Sequence, residues 1–264
     1  MNDLYALARR LVTSGPQRVL PTPRRIRIRF GDSFIVDTTS AVYVWEHEYY
    51  PQFYVPLKHL KSCQWEEKEK LEDGRAAILT VKAGLKETDR VLVFLEGIKA
   101  GGGAEAAGQL AGMVRVELGV VEQYYEEDDP IYVHPRDPFK RIDILHSTRP
   151  IKVSLDGTVL ASAAASYHLY ETLLPCRYYL PPTAIVDWSL LRPSATRTPC
   201  PYKGEAEYYD VVLPDGKRYK DFVWFYRMPL RESAVIAGYL CFYNEKVDIE
   251  LDGALLERPH TKFG

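Results

Sequence analysis

Cysteine is scarce in this sequence, and the four present, Cys63, Cys176, Cys200 and Cys241, form no C-x-x-C pair. A disulfide framework or a thiolate zinc site is therefore not expected, and a reduced, cytoplasmic setting fits best. No apolar run is long enough to span a bilayer. The opening stretch MNDLYALARRLVTSG is interrupted by Asp3, Arg9 and Arg10 and does not read as a signal peptide. An excess of one charge is missing too. With 34 Lys and Arg against 36 Asp and Glu the net charge is -2, so neither nucleic acid nor a membrane is an expected partner. There is no Walker motif, no G-x-G-x-x-G after a strand, no G-x-S-x-G elbow and no H-E-x-x-H. The histidines, His47, His59, His134, His146, His168 and His260, show no ligand spacing. No metal and no cofactor is expected. Gly101-Gly102-Gly103 reads as a loop rather than an anion cradle.

Tyrosine, by contrast, is abundant, at 19 residues. Its flat apolar body and polar tip suit pocket walls as well as sheet faces. The dominant feature is an internal repeat. RRIRIRFGDSFIVDTTSAVYVWEHEYYPQFYVP, from Arg24, aligns without a gap with RPIKVSLDGTVLASAAASYHLYETLLPCRYYLP, from Arg149, an offset of 125 residues. Along it Ile26 meets Ile151, Glu46 meets Glu171, Tyr54 meets Tyr179 and Pro56 meets Pro181. Ile26, Ile28 and Phe30 alternate with Arg27 and Arg29, the period of a half-buried strand. Gly31-Asp32 and Asp156-Gly157 mark hairpin turns.

The fold class expected is mainly β: two tandem antiparallel modules, each of two small facing sheets, with short helices. Residues 1–19 form a leading helix, with Leu4, Leu7, Ala8 and Leu11 on one face and Asn2 or Asp3 as cap. The first, divergent module covers 20–125 and the second 149–264. Between them 126–148 is a structured connector, because Ile131, Tyr132, Val133, Phe139 and Ile142 need burial. RAAILTV and DRVLVFLE in the first copy pair with KGEAEYYDVVL and DFVWFY in the second. AEAAGQLAGMV and RESAVIAGYL are short helices whose Ala-Gly steps, Ala111-Gly112 and Ala237-Gly238, allow close approach to a sheet. VRVEL is the expected counterpart of the closing strand VDIEL.

RYYLP, CPYKG at Cys200 to Gly204, EYYDV, VWFY, IAG and FYNEKVDIELDG together resemble the domain-of-unknown-function family 427, over roughly residues 20 to 255. The connector YVHPRDPFKRIDIL looks like the segment that joins tandem copies in longer members. The resemblance implies two facing antiparallel sheets with a pocket between them. It implies no established activity, although a nucleotidyltransferase-like label is attached to the family. The first copy has KEKLEDGRAA where the second has CPYKG, so the better-preserved site belongs to the second.

In SYHLYET, Tyr167, Leu169 and Glu171 share one face of a strand. A carboxylate among aromatics could move protons, or it could pair with Arg177 or Lys203 and only fix the sheet. Pro201 and Gly204 set a turn that projects Lys203 as a cation, with Cys200 beside it as a nucleophile or an inert thiol. Tyr179, Tyr208, Trp224 and Tyr226 are the expected walls, in a cavity between the two sheets. His134, Arg136 and Asp137 with Arg141 form a second polar cluster, read as a clamp between copies. Two functions compete. One is a cofactor-independent enzyme, an isomerase, dehydratase or cyclase, acting on a small organic molecule through Glu171 and Lys203. The other is a non-catalytic module for a small ligand. A nucleotidyltransferase comes third, since its metal would fall to Glu126, Glu127, Asp128 and Asp129, which read as a solvated face. A homo-oligomer stays open.

Overall fold

The computed structural model describes residues 3–95 and 105–261. The Gly101 to Gly103 run lies outside them. The chain divides into two compact units, Met1–Asp137 and Pro138–Gly264. The first begins with helix α1 (Leu4–Ser14) and continues through β1 (Arg18–Pro21), β2 (Ile26–Phe30), β3 (Ser33–Thr38), β4 (Val42–Trp45) and β5 (Gln52–Pro56). Then come β6 (Gln64–Leu71), β7 (Ala76–Ala83), β8 (Lys86–Phe94), α2 (Glu105–Gly108), β9 (Met113–Val116), β10 (Gln123–Glu126) and β11 (Asp129–Pro130). The second unit holds β12 (Ile142–Ser147), β13 (Ile151–Leu155), β14 (Thr158–Ala163), β15 (Ser166–Glu171) and β16 (Arg177–Leu180). It closes with β17 (Leu191–Cys200), β18 (Gly204–Val212), β19 (Arg218–Tyr226), β20 (Leu240–Phe242), β21 (Asp248–Leu251) and β22 (Ala254–Leu255).

The two units are copies of one fold, strand for strand. Each has a seven-stranded antiparallel sheet, ordered 1-4-5-9-8-7-6 in the first and 12-15-16-20-19-18-17 in the second. Each has a four-stranded sheet, ordered 11-10-2-3 and 22-21-13-14. The 125-residue offset extends to irregularities. The β2–β3 pairing shifts between Ile28 and Arg29, and the β13–β14 pairing shifts between Val153 and Ser154. The bridge Val36 to Leu60 recurs as Ala161 to Ile185. Ile131 donates its N–H to Tyr124, and Leu256 donates to Ile249. The bulge and the bridge are features of the fold, because they persist while the side chains around them change.

Each core lies between its two sheets. Ile26, Ile28 and Phe30 pack against Phe53, Val55, Val93 and Val114 in the first unit. Ile151, Val153 and Leu155 pack against Leu180, Val223, Leu240 and Phe242 in the second. A further apolar layer covers the opposite face of the first large sheet. There Leu4, Leu7, Ala8 and Leu11 of α1 meet Val44, Tyr54, Ile78, Leu92 and Phe94. The Asp3 carboxylate accepts from the N–H groups of Tyr5 and Ala6 and so starts α1. Each buried leucine there contributes roughly 1.5–3 kcal/mol.

Several local expectations are corrected. VRVEL is not the counterpart of VDIEL: it supplies β9, a central strand of the large sheet matching β20, whereas VDIEL supplies β21, which matches β10. The first copy reaches that edge only after a further turn, which hides its counterpart in the less apolar QYYE. The short helix expected in RESAVIAGYL is present as a 3-10 helix over Arg231–Ile236. Gly112 and Gly238 follow the helical segments at φ +72 and +71 and turn the chain into the next strand. In the connector stretch Ile131 is buried and Ile142 half-buried, but Tyr132, Val133 and Phe139 are exposed. Glu126 belongs to β10 and accepts from Tyr43 and Arg24, and Arg27 pairs with Asp128, so that acidic run is charge-paired. Among the described residues no helix is long and apolar enough to cross a membrane.

Candidate functional site

Strand parity decides where the second module keeps its aromatic residues. Along β16, β19 and β20, Leu180, Val223, Leu240 and Phe242 face the four-stranded sheet. Their neighbours Tyr179, Trp224, Tyr226 and Cys241 therefore face the other way, where they cluster with Leu169, Ala206, Tyr208 and Ile236. The expected location between the sheets is thus corrected: these walls form the outer face of the large sheet. β19 reads VWFY, bulky on both faces, so its sequence does not say which face meets the other sheet.

On that outer face the two charged candidates meet. Lys203 Nζ donates to Glu171 Oε2 at 2.6 Å, and the two side chains are 11% and 12% exposed. Glu171 ends β15, and Lys203 sits in the turn between β17 and β18, four strands away in the sheet order. The turn closes at Gly204, whose φ of +99 favours glycine. Burial pulls the Lys203 ammonium pKa down. The Cys200 side chain, also hydrogen-bonded to it, and the Glu171 carboxylate more than offset this, so the ammonium is held above its usual range.

The aromatic groups supply polar tips around this pair. Trp224 Nε1 donates to the Tyr179 hydroxyl at 3.1 Å, with the rings edge to face. The Tyr208 hydroxyl and Thr198 Oγ1 lie 2.6 Å apart. Burial pushes the Tyr179 and Tyr226 hydroxyls well above the usual phenol range, so both stay protonated. Arg177 is not the partner of Glu171. Its guanidinium forks onto Glu245 at 2.7 Å, bonds Asn244 at 3.0 Å and lies over the Trp224 ring. Thr198, Asn244, Glu245 and Tyr243 were not legible as neighbours of the site, because strand pairing alone brings them there.

The first module is an internal control. Glu46 is the counterpart of Glu171 and is also buried, accepting from Arg115 Nε at 2.5 Å and from the Tyr54 hydroxyl at 3.0 Å. Its cation has a different origin. Val55 pairs with Val114 as Leu180 pairs with Leu240, so Arg115 stands where Cys241 stands. Tyr208, Trp224 and Tyr226 correspond through the same pairings to Ile78, Leu92 and Phe94. Those residues carry α1. The first copy has turned the polar-tipped face into core.

His134, Arg136 and Asp137 lie in the first unit. The His134 ring stacks on Tyr50 at 4.0 Å, the Asp137 carboxylate accepts from buried Trp45 Nε1 at 3.0 Å, and Arg136 is half-buried. The four cysteines are free thiols. Among the described residues no three His, Cys, Asp or Glu side chains gather in a metal-holding group.

The sequence model of a family described as a domain of unknown function (DUF427) matches residues 18–96 and 143–253. No curated protein matches the chain.

Proposed function

We propose, for a chain that belongs to the domain-of-unknown-function family DUF427 and carries two copies of its domain, a cofactor-independent proton-transfer enzyme acting on a small carbonyl compound. The observation that carries this reading is the enclosed Lys203–Glu171 pair, framed by tyrosine hydroxyls in the second copy, while the first copy covers the same face with apolar core. The pair couples binding to basicity. A substrate carbonyl oxygen draws the Lys203 ammonium away from Glu171, and the freed carboxylate becomes the stronger base. Glu171 then takes a proton from the carbon next to the carbonyl. The C–H electron pair moves toward oxygen as an enolate, which Lys203 stabilises. In a 2-hydroxy carbonyl compound the enolate is an enediolate: the proton returns to the former carbonyl carbon while the hydroxyl proton passes to the former carbonyl oxygen, so the isomerisation balances with no other reactant.

A second reading, a non-catalytic module for a small anion held by Lys203, is favoured by Glu46. The glutamate persists in the first copy with a cation beside it, on a face that apolar core covers, so its part there is structural. Solvent exchange separates the two. The protein is incubated in D2O with a panel of small oxo acids and sugars, and deuterium uptake is read by mass spectrometry. An enzyme incorporates deuterium, and Glu171→Gln slows uptake by about 100-fold or more. Binding by the panel without exchange in the wild type establishes the second reading. Lys203→Met weakens ligand binding under either.

A further inference from the structure

The second module contains a cleft that neither Lys203 nor Glu171 lines. It opens between the two sheets, has a volume of about 140 Å³, and is lined by Tyr178, Val247, Ile249 and Leu256, with Cys176 and Asn244 at its edge. The volume is that of a cavity that takes benzene, about 150 Å³.

The first module shows what occupies this space. Tyr124 pairs with Ile28 as Ile249 pairs with Val153, so Tyr124 is the counterpart of Ile249. Its ring is buried in the core, and its hydroxyl donates to the Val116 carbonyl at 2.6 Å. Val116 corresponds to Phe242, the residue after Cys241, which pairs with Tyr179 next to Tyr178 on β16. The remaining walls correspond as well: Phe53 to Tyr178 and Ile131 to Leu256. One copy therefore carries its own phenol in the core between its sheets. The other has an isoleucine at the same point and a cleft beside it.

Behind the Tyr178 wall, His168 and Ser166 stand where the first copy has Tyr43 and Ala41; both are buried, and among the described residues His168 Nε2 and Ser166 Oγ have no hydrogen-bond partner. The His168 ring meets Tyr178 edge to face at 4.9 Å. Burial, and then Cys176, pushes the Tyr178 hydroxyl up to about 12, so it is a neutral donor and acceptor at physiological pH. Glu257 also borders the cleft and disfavours an anion.

We propose that this between-sheet cleft binds a neutral, phenol-sized aromatic molecule, in the place that Tyr124 fills in the first module. The probe is 4-fluorophenol, followed by fluorine NMR on the full chain, with 4-fluorobenzoate as the anionic comparison. Saturable binding at one site per chain is expected, at least tenfold tighter for the phenol than for the benzoate. Ile249→Tyr places the first module's own residue in the cleft and should weaken binding at least tenfold. Leu256→Phe, which narrows the cleft from the tail, should do the same if Ile249→Tyr does not fold. Tyr124→Ile should add a second site per chain. No saturable binding to the wild type, equal binding of the benzoate, or binding unchanged in both filling variants would overturn the proposal. Lys203→Met should leave this binding unchanged, so failure here and failure of the proton-transfer reading are told apart.

Discussion

Glu245 is almost wholly enclosed, with a side chain 1% exposed, and both terminal nitrogens of Arg177 hold its carboxylate. Burial alone would raise its pKa, but Arg177 and the Thr261 hydroxyl bring it down to about 2. An unfolded glutamate titrates near ~4.3. The folded value is the lower one, so the stabilisation is complete above ~4.3 and is lost as pH falls toward 2. The difference corresponds to about 3 kcal/mol at neutral pH. Glu245→Gln should therefore lower stability at pH 7 by about that amount and flatten its decline between pH 5 and 2. Urea unfolding of both proteins at pH 7 and pH 3 measures this, and an equally steep acid decline in the variant would count against it. Glu46 presents a different case. Arg115 is 3% exposed, and its Nη1 already lacks a partner among the described residues. Glu46→Gln leaves that guanidinium without its counter-charge and should cost about 3–5 kcal/mol. Glu171→Gln should cost less, since Lys203 ends in a single flexible ammonium near the end of a turn. Equal losses in urea unfolding would mean that the two glutamates have the same structural weight.

At the scale of elements, the Cys200 to Gly204 turn is what brings lysine to glutamate. A Cβ on Gly204 would lie 3.3 Å from the Met228 carbonyl oxygen, and the backbone there has a φ of +99. Gly204→Ala should destabilise by about 1–3 kcal/mol and displace Lys203. Thermal unfolding checks the first effect; the second appears as weaker ligand binding of the kind expected for Lys203→Met. The turn was legible from Pro201 and Gly204, as α1 was from the spacing of Leu4, Leu7 and Leu11. Local spacing carries both. The tie between Glu171 and Lys203 could be stated only as an alternative to Arg177, because it depends on the order 15-16-20-19-18-17, which no local pattern encodes. The face of the aromatic wall was misjudged for the same reason. Alternation along β19 separates Trp224 and Tyr226 from Val223 and Phe225, yet which set meets the second sheet depends on where that sheet packs. In the connector, hydrophobic residues were expected to be buried, and Phe139 at 55% exposed shows that composition alone does not bury a side chain.

At the scale of the molecule, duplication lets each copy serve as the reference for the other. The strand order persists, and the bulge and the bridge recur at the 125-residue offset, so they belong to the fold. The outer face and the between-sheet cleft are where the copies differ. Among the described residues each unit also closes its own cores: the apolar clusters of the first run up to Ile131, and those of the second begin at Ile142. A lesion in one should therefore loosen that unit first, as a local opening rather than a global one. Leu11 is fully buried under the first large sheet, and Leu11→Ala should cost about 2–5 kcal/mol. Amide exchange should then speed up in β4, β5, β8 and β9, and stay at the wild-type rate in β15, β16, β19 and β20. Glu245→Gln should give the opposite pattern, since Arg177 and Asn244 both lie in the second unit. Peptide-resolved hydrogen exchange reads both variants. Uniform acceleration across all eight strands in either one would show that the copies unfold as a single cooperative body.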